Sequence, residues 1–572
     1  MAESPVDHDS HAHGHGHPVP GPFTRLRQLL QPERRDIATV VVFAAAVAML
    51  SLATPIAVES LVNTVSFGVL MWPVIVLAGM LMTCLGLAAA IRAMQVYVVE
   101  CIQRRLFVRV VADYAHRLPR IQLDALDKHY GPELANRFFD ILNFQKSLSF
   151  LLLDGVALVV TALIGMVVLA FYHPFLLGFD ILLILMISFI LFALGWGGVR
   201  TSLHESHAKY DVAAWLEELL RSLRSFKFAG GQRLALEKAD QLADHYVTAR
   251  RDHFRVVWRQ TAFSLGLQVV ASTALLGLGG FLVINRQLTL GQLVAAELIV
   301  ALVVASVAKL GKYTETYYDL MAGAEKLGLL TDLPLDREGG EALTGEGGIE
   351  VHVRGVDLVT RRTLPAAIDF HVASNERVAV VGPPGAGKTT LFEILCGLKE
   401  PGQGVVQIDG IDLRELSLEH LRTQVSLVEE RGGMIIGTVM DNIRLGRLEL
   451  SPADIRDSLQ AVGLMSVVHA LPHGLETPLM PGGNPLSATQ GMLLTISRAL
   501  AGRPRLLLLD GVLDSIDLRE CPELLSRLFD RSAPWTLLVA TSDPDVIRLC
   551  DRTIELAPTG TSVITNTGGP KS

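Results

Sequence analysis

The chain has 572 residues, of which 50% are hydrophobic and 19% charged, and its formal net charge is −8. Soluble globular chains carry about 25% charged residues, so this composition, with a mean hydropathy of +0.39, excludes a fully soluble protein and equally a disordered or collagen-like polymer. The acidic balance gives no electrostatic reason to expect nucleic acid as a partner.

The length allows roughly four domains at about 150 residues each. Cys84, Cys101, Cys396, Cys521 and Cys550 lack metal-ligand spacing and read as reduced thiols.

Residues 1–22 hold His8, His11, His13, His15 and His17 among glycine and proline. Two readings stand side by side: imidazoles spaced for zinc or nickel, and a disordered polar tail. No cleavable signal peptide is expected ahead of the first long apolar stretch.

Six apolar stretches come next, near Ile37–Val58, Val69–Ile91, Leu151–Phe171, Phe175–Trp196, Phe263–Ile284 and Leu293–Ala308. Most approach or exceed the roughly 20 residues that span a bilayer. Asn63–Gly68, Tyr172–Pro174 and Asn285–Leu290 read as tight turns. The intervening Cys101–Phe150 and Gly197–Ala262 are long, helix-patterned and carry 8 and 11 Lys/Arg, against one in the tight turns, Arg286. Lys and Arg mark the cytoplasmic side, and Arg25, Arg27, Arg34 and Arg35 agree. Both termini are therefore expected in the cytoplasm, with the tight turns outside. Pro55 is a candidate kink in the first span. Asp180 and Glu297 lie inside the fourth and sixth spans, where a lipid-facing charge costs at least about 2.5–3.5 kcal/mol. They either line a translocation cavity or touch a cationic substrate group, or they sit near the outer interface and reach water.

After a linker at Thr331–Gly348 the pattern becomes that of a soluble α/β protein. Apolar runs at Arg377–Val381, Val405–Ile408, Val425–Val428, Leu506–Leu509 and Thr536–Ala540 alternate with helical patterns such as Thr389–Leu398 and Gly491–Leu500. This alternation predicts a mostly parallel sheet.

Gly382-Pro383-Pro384-Gly385-Ala386-Gly387-Lys388-Thr389 follows the first of those strands and opens a helix. It fits the phosphate-loop pattern in its required strand–loop–helix setting. Backbone N–H groups of such a loop wrap phosphate oxygens, and the helix N-terminus adds its dipole. Gly382, Gly385, Ala386, Gly387, Lys388, Thr389 and Thr390 are the candidate ATP contacts. Thr389 and Asp510, the latter ending Leu506–Leu509, are the candidate Mg²⁺ ligands.

Six spans with two long cytoplasmic excursions, then a phosphate-loop domain, resemble a half-transporter of the ABC exporter family over nearly all the chain after residue 22. Thr289-Leu290-Gly291-Gln292-Leu293-Val294 adds to the likeness. Gly131-Pro132-Glu133-Leu134-Ala135-Asn136-Arg137 is the candidate coupling element. Arg104-Arg105-Leu106-Phe107-Val108-Arg109 is similar to the type I secretion and bacteriocin-exporter branch, whose peptidase-like domain finds no room before the first span.

The resemblance implies an α-helical six-span membrane domain at 23–330, a linker at 331–348, an α/β P-loop NTPase domain of the ABC type at 349–558, and tails at 1–22 and 559–572. It also implies a dimer with a second half-transporter, identical or not, in a lipid bilayer, most simply the bacterial inner membrane. An exported substrate is implied as well, which the sequence does not identify, and a periplasmic adaptor protein is a further partner of that branch.

The departures from the family lie in its chemistry. Thr360 stands at the position of the adenine-stacking aromatic, a contact worth roughly 1–3 kcal/mol. Leu421–Val428 and Gly437–Ile443 bracket the glutamine loop, where Glu430 replaces glutamine and remains a candidate Mg²⁺ ligand. The signature reads Leu486-Ser487-Ala488-Thr489-Gln490, with Ser487 still a candidate phosphate contact and two glycines lost. Gly511 replaces the catalytic glutamate, Asp514-Ser515-Ile516-Asp517 matches the next loop loosely, and Ser542 replaces the switch histidine. No catalytic residue is intact, although Glu429, Glu430 and Asp514 are candidate substitutes. Hydrolysis needs a group that orients and deprotonates water. The expectation is therefore ATP binding with slow or absent hydrolysis, in an exporter half or in a non-catalytic regulatory or assembly subunit.

Overall fold

The computed structural model describes residues 21–66, 71–126, 137–228, 230–358, 367–430, 433–519, 521–557 and 560–565. The histidine-rich stretch His8–His17, most of the coupling candidate Gly131–Arg137, and Thr360 lie outside the described residues. The described chain separates into two units, one within Met1–Arg120 and Lys128–Leu333, the other within Ile121–Asp127 and Pro334–Ser572.

The first unit is helical. Its six stretches are α1 (Pro22–Thr64), α2 (Met71–Arg120), α3 (Asp140–Tyr172), α4 (Pro174–Arg221), α5 (Gly231–Ile284) and α6 (Leu290–Gly328), each long and apolar enough to cross a membrane. Every one contains an apolar stretch read from the sequence. At 1.5 Å per residue the 54 residues of α5 reach about 80 Å, far beyond a hydrocarbon core of about 30 Å. The excursions are thus continuations of the same helices rather than separate loops.

Local chemistry sets the breaks. α1 is interrupted at Leu52, between helical runs Arg34–Ser51 and Ala53–Ser66. Pro55 offers no N–H to the Ser51 carbonyl, so the ladder cannot run through. The α3–α4 turn is a single extended residue, His173, whose ring accepts from the Phe175 N–H at 3.2 Å with Pro174 at the first helical position.

Arg25 pins the start of α1 to the end of α6. Its guanidinium is 2% exposed, lies 2.7 Å from Glu325 Oε1 and pairs with Asp332. Asp180 is 3% exposed, and neither of its carboxylate oxygens has a hydrogen-bond partner. It lies within α4, whose neighbours Leu176 and Leu183 belong to an apolar cluster with Ala271, Leu275 and Val300. It does not reach water, as one of the two readings required. One carboxylate oxygen of Glu297, Oε2, is likewise buried without a partner.

The second unit carries three sheets. β1 (Val351–Val356), β2 (Ile368–Val372), β4 (Val405–Ile408) and β5 (Ile411–Asp412) form an antiparallel sheet in the order β2-β1-β4-β5. β3 (Arg377–Val381), β6 (Val425–Glu429), β9 (Leu506–Asp510), β10 (Thr536–Ala540), β11 (Arg552–Ala557) and β12 (Gly560–Thr565) form a six-stranded sheet in the order β12-β11-β3-β10-β9-β6. β7 (Gly437–Thr438) and β8 (Pro478–Leu479) make a short ribbon. The parallel strands, buried on both faces, read as unbroken apolar runs, Leu506–Leu509 above all.

Three sequence expectations change here. Val405–Ile408 is a strand but pairs antiparallel with β1, because it turns straight back into β5 rather than entering a crossover helix. β12 falls in the stretch assigned to the C-terminal tail and closes a hairpin on β11. Ile121–Asp127, assigned to the membrane domain, groups with the second unit, where Gln122 donates to the Pro334 carbonyl at 3.0 Å.

The topology is testable by cysteine labelling. Cysteines placed at Ser66 and Gln287 are expected to react with an impermeant thiol reagent on intact cells, and one at Ser206 is not. Labelling confined to Ser206 would invert the orientation.

Candidate functional site

The phosphate loop joins β3 to α7 (Lys388–Leu395). Gly382, Gly385 and Gly387 have φ of 156°, 82° and 90°, conformations that side chains resist. A β-carbon on Gly387 would lie 2.5 Å from Leu358 Cδ1. The loop therefore keeps bare backbone around its concave side, as an anion cradle at a helix N-terminus requires. Lys388 Nζ donates across the loop to the carbonyls of Gly382 at 2.7 Å and Pro383 at 3.3 Å. Thr390 lies in the first turn of α7, and Ala386 is buried beneath the loop.

β9 runs parallel to β10 and β6, which sets Asp510 beside Ala540 and Glu429. The Thr389 hydroxyl donates to Asp510 Oδ2 at 2.6 Å. Two hard oxygen donors that the sequence separates by more than a hundred residues are thus in contact, a donor set that suits Mg²⁺. The Glu429 carboxyl is pushed up, chiefly by desolvation and further by Glu393 and Asp510. Acids crowded in this way favour a cation beside them. The Glu430 N–H donates to the Asp510 carbonyl at 3.3 Å. Its carboxylate is not with Thr389 and Asp510, however, because Oε1 accepts from the Ser515 hydroxyl at 2.8 Å.

Gly511 has φ of 68°, and its N–H donates to the Ala540 carbonyl at 3.0 Å. A β-carbon there meets nothing within 4 Å, so space admits a side chain, but the left-handed backbone would strain one. Asp514 is already engaged: it accepts from the Thr541 hydroxyl, and from the Ser542 N–H at 2.9 Å. Of the candidate substitutes, Glu430 and Asp514 have their carboxylates occupied by neighbours, and Glu429 remains beside Asp510.

Ser487 caps α8 (Ala488–Ala501). Its hydroxyl accepts from the Gln490 N–H at 3.2 Å, and the Gln490 side chain accepts from the Ser487 N–H at 2.9 Å, a capping box. Ala488 and Thr489 are exposed in the first turn. Sequence reading missed Arg498 on the same helix. It donates to the Asn442 carbonyl at 2.6 Å and side-chain oxygen at 2.9 Å, and to the Gly433 carbonyl at 3.1 Å. Asn442, fully buried, in turn accepts from the Ile435 N–H at 2.9 Å. The arginine thus fixes the segment that follows Glu430 to the signature helix. Its one sequence signal was an arginine on the apolar side of an otherwise buried helix.

Residues 366–513 match the ABC transporter family, and residues 37–307 match the ABC transporter transmembrane region. The chain is 26% identical over 364 residues to the uncharacterized ABC transporter ATP-binding protein YwjA of Bacillus subtilis, covering 63% of this chain and 62% of that protein. It is 30% identical over 290 residues to a multidrug efflux ATP-binding/permease protein of Mycobacterium tuberculosis, covering 50% of this chain and 24% of that one. The match thus spans under two thirds of either relative's length. The solved structure of a bacterial Atm1-family ABC exporter with ATP bound superposes with a TM-score of 0.79 at 21% identity, over 92% of this chain and 94% of that one. The chain belongs to the ABC transporter family: an integral membrane half-transporter with an exporter fold, in which a six-helix transmembrane region precedes an ATP-binding domain.

Two outcomes are expected from this geometry. Lys388→Ala is expected to weaken ATP binding by at least about 1.5–3 kcal/mol, the range for hydrogen bonds to charged groups; equal affinities by calorimetry would show the loop to be vestigial. Gly511→Glu is expected to lower the thermal midpoint of the chain, because a side chain in left-handed backbone costs about 1–2 kcal/mol. Gly511→Asn, a residue that tolerates this region, is expected to lower it less, and an unchanged midpoint in both would contradict the strain.

Proposed function

We propose that this chain is an ATP-binding subunit of an exporter, working as a dimer in the bacterial inner membrane, and that its own hydrolysis is slow. The carrying observation is the combination at the ends of β3 and β9. Lys388, Thr389 and Asp510 are together, while Gly511 offers no side chain and Asp514 is bonded to Thr541 and Ser542.

In this reading the loop Gly382–Gly387 and Thr390 hold the phosphates of ATP, Lys388 neutralises their charge, and Thr389 and Asp510 would hold Mg²⁺, while Glu430 would reach the ion only after leaving Ser515. Bound Mg²⁺ would supply neutralisation of charge on the phosphate oxygens. The membrane domain occupies 23–330, the linker 331–348 and the nucleotide domain 349–558, with both termini cytoplasmic and α6 ending on the cytoplasmic side. Water activation is the weak element. Gly511 offers no base, Ser542 replaces an imidazole, and among the described residues no hydrogen bond orients the Glu429 carboxyl toward a water.

In a dimer of the family's kind each ATP lies between the phosphate loop of one chain and the signature of the other. This chain departs from the family on both sides, at Gly511 and Ser542 and at Ala488 and Thr489. A homodimer repeats both defects, whereas a fully equipped partner supplies a base to one of the two sites. The left-handed backbone at Gly511 also supports the second reading, a regulatory subunit that uses ATP as an assembly switch. The transported substrate stays open under the first.

A steady-state assay of the purified homodimer is expected to give turnover well below about 1 s⁻¹, the lower end of the usual enzyme range. Gly511→Glu alone is expected to restore little. Gly511→Glu, Ser542→His, Ala488→Gly and Thr489→Gly combined are expected to restore more than the product of the single effects, since catalytic groups acting as a unit are non-additive. Wild-type turnover of about 1 s⁻¹ or faster would overturn the reading.

A further inference from the structure

The antiparallel sheet carries a cluster that nucleotide chemistry does not use. β2 alternates strictly, with Ile368, Phe370 and Val372 buried and Asp369 and His371 outward. On β1, Val351 and Val353 are buried in the same core, so His352 and Glu350, two residues before it, share the outward face. The antiparallel register pairs His352 directly with His371, and their ring centroids are 4.0 Å apart.

Both rings aim the same nitrogen at one oxygen. His352 Nε2 lies 3.1 Å and His371 Nε2 2.7 Å from Glu350 Oε1. Among the described residues this is the one group of three His, Cys, Asp or Glu side chains whose donor atoms converge, all within 4.8 Å of one another. All three side chains are partly exposed, which leaves a solvent path for an ion.

We propose that Glu350, His352 and His371 bind one borderline divalent transition-metal ion, zinc foremost, which cross-links β1 to β2. Two imidazoles and a carboxylate form a three-ligand zinc set that leaves a fourth position for water. Bonds of about 2.0–2.2 Å in tetrahedral geometry place ligand atoms roughly 3.3–3.5 Å apart. The present separations of 3.1 and 2.7 Å need to open by up to about 0.8 Å, and the two imidazole nitrogens lie within 4.8 Å of each other, adjustments that partly exposed side chains make by rotation. The nearby cations Arg505 and Arg552 are each paired with an acid. Asp409 accepts from the Glu350 N–H at 2.8 Å. Arg552, which donates to the His371 carbonyl, is paired with Glu376. The bound ion would hold together the two strands that bracket residues 357–367.

The test uses the full-length chain in detergent with His8, His11, His13, His15 and His17 changed to alanine, removing the competing imidazoles. Equilibrium dialysis against zinc is expected to give one ion per chain at micromolar concentration or below. Co²⁺ is expected to give the intense visible absorption of a tetrahedral site. His352→Ala or His371→Ala is expected to weaken zinc binding at least about 100-fold and abolish the cobalt bands, with Glu350→Gln intermediate. Without zinc, these surface variants are expected to match the parent's thermal midpoint, and added zinc is expected to raise the parent's alone. No zinc bound by the parent, or stoichiometry and cobalt spectrum unchanged by His371→Ala, would overturn the proposal.

Discussion

The hydrogen bond from Thr389 to Asp510 is the fixed point of the nucleotide domain. It exists because β3 and β9 flank β10 in parallel, so their carboxyl ends emerge at the same edge of the sheet, one strand apart. The strand pairing requires two uninterrupted apolar runs, and it brings a hydroxyl and a carboxylate together at 2.6 Å. Glu429, at the same level on β6, adds acid to that edge. Positive charge comes from Lys388 and from the N-terminus of α7. The balance at this edge suits a polyanion bound together with a divalent cation.

Binding and hydrolysis draw on different atoms here. The groups that hold phosphate are backbone N–H, one ammonium and two oxygen donors, and the loop conformation preserves them. The groups that would activate water need a carboxylate projecting from position 511, and Gly511 has taken a backbone conformation in which a glutamate is strained. Asp514 then satisfies Thr541 and Ser542, tying the segment where the family has its histidine to the loop after Asp510.

Much of this was legible in the sequence where a physical pattern is local. The apolar spans, the phosphate loop and the strand ending at Asp510 each announce themselves within a few residues. What was not legible depends on pairing over distance. Val405–Ile408 looks the same whether its partner is parallel or antiparallel, and only the turn into β5 decides. β12 is short, polar and lies past the last long apolar run. Glu430 sits where a metal ligand belongs, yet Ser515, far along the chain, takes its carboxylate. Nothing in the sequence between His352 and His371 hints at their register. The burial of Asp180 against its own helices, rather than toward water, is likewise a property of packing around α4 that hydropathy does not carry.

The central proposal is that the site holds ATP and cleaves it slowly. The most direct measurement incubates the purified chain with ATP and Mg²⁺, separates free nucleotide by rapid gel filtration, and identifies the bound nucleotide by chromatography over time. The account predicts ATP recovered intact after many minutes. Bound ADP accumulating at the pace of a working enzyme would contradict it.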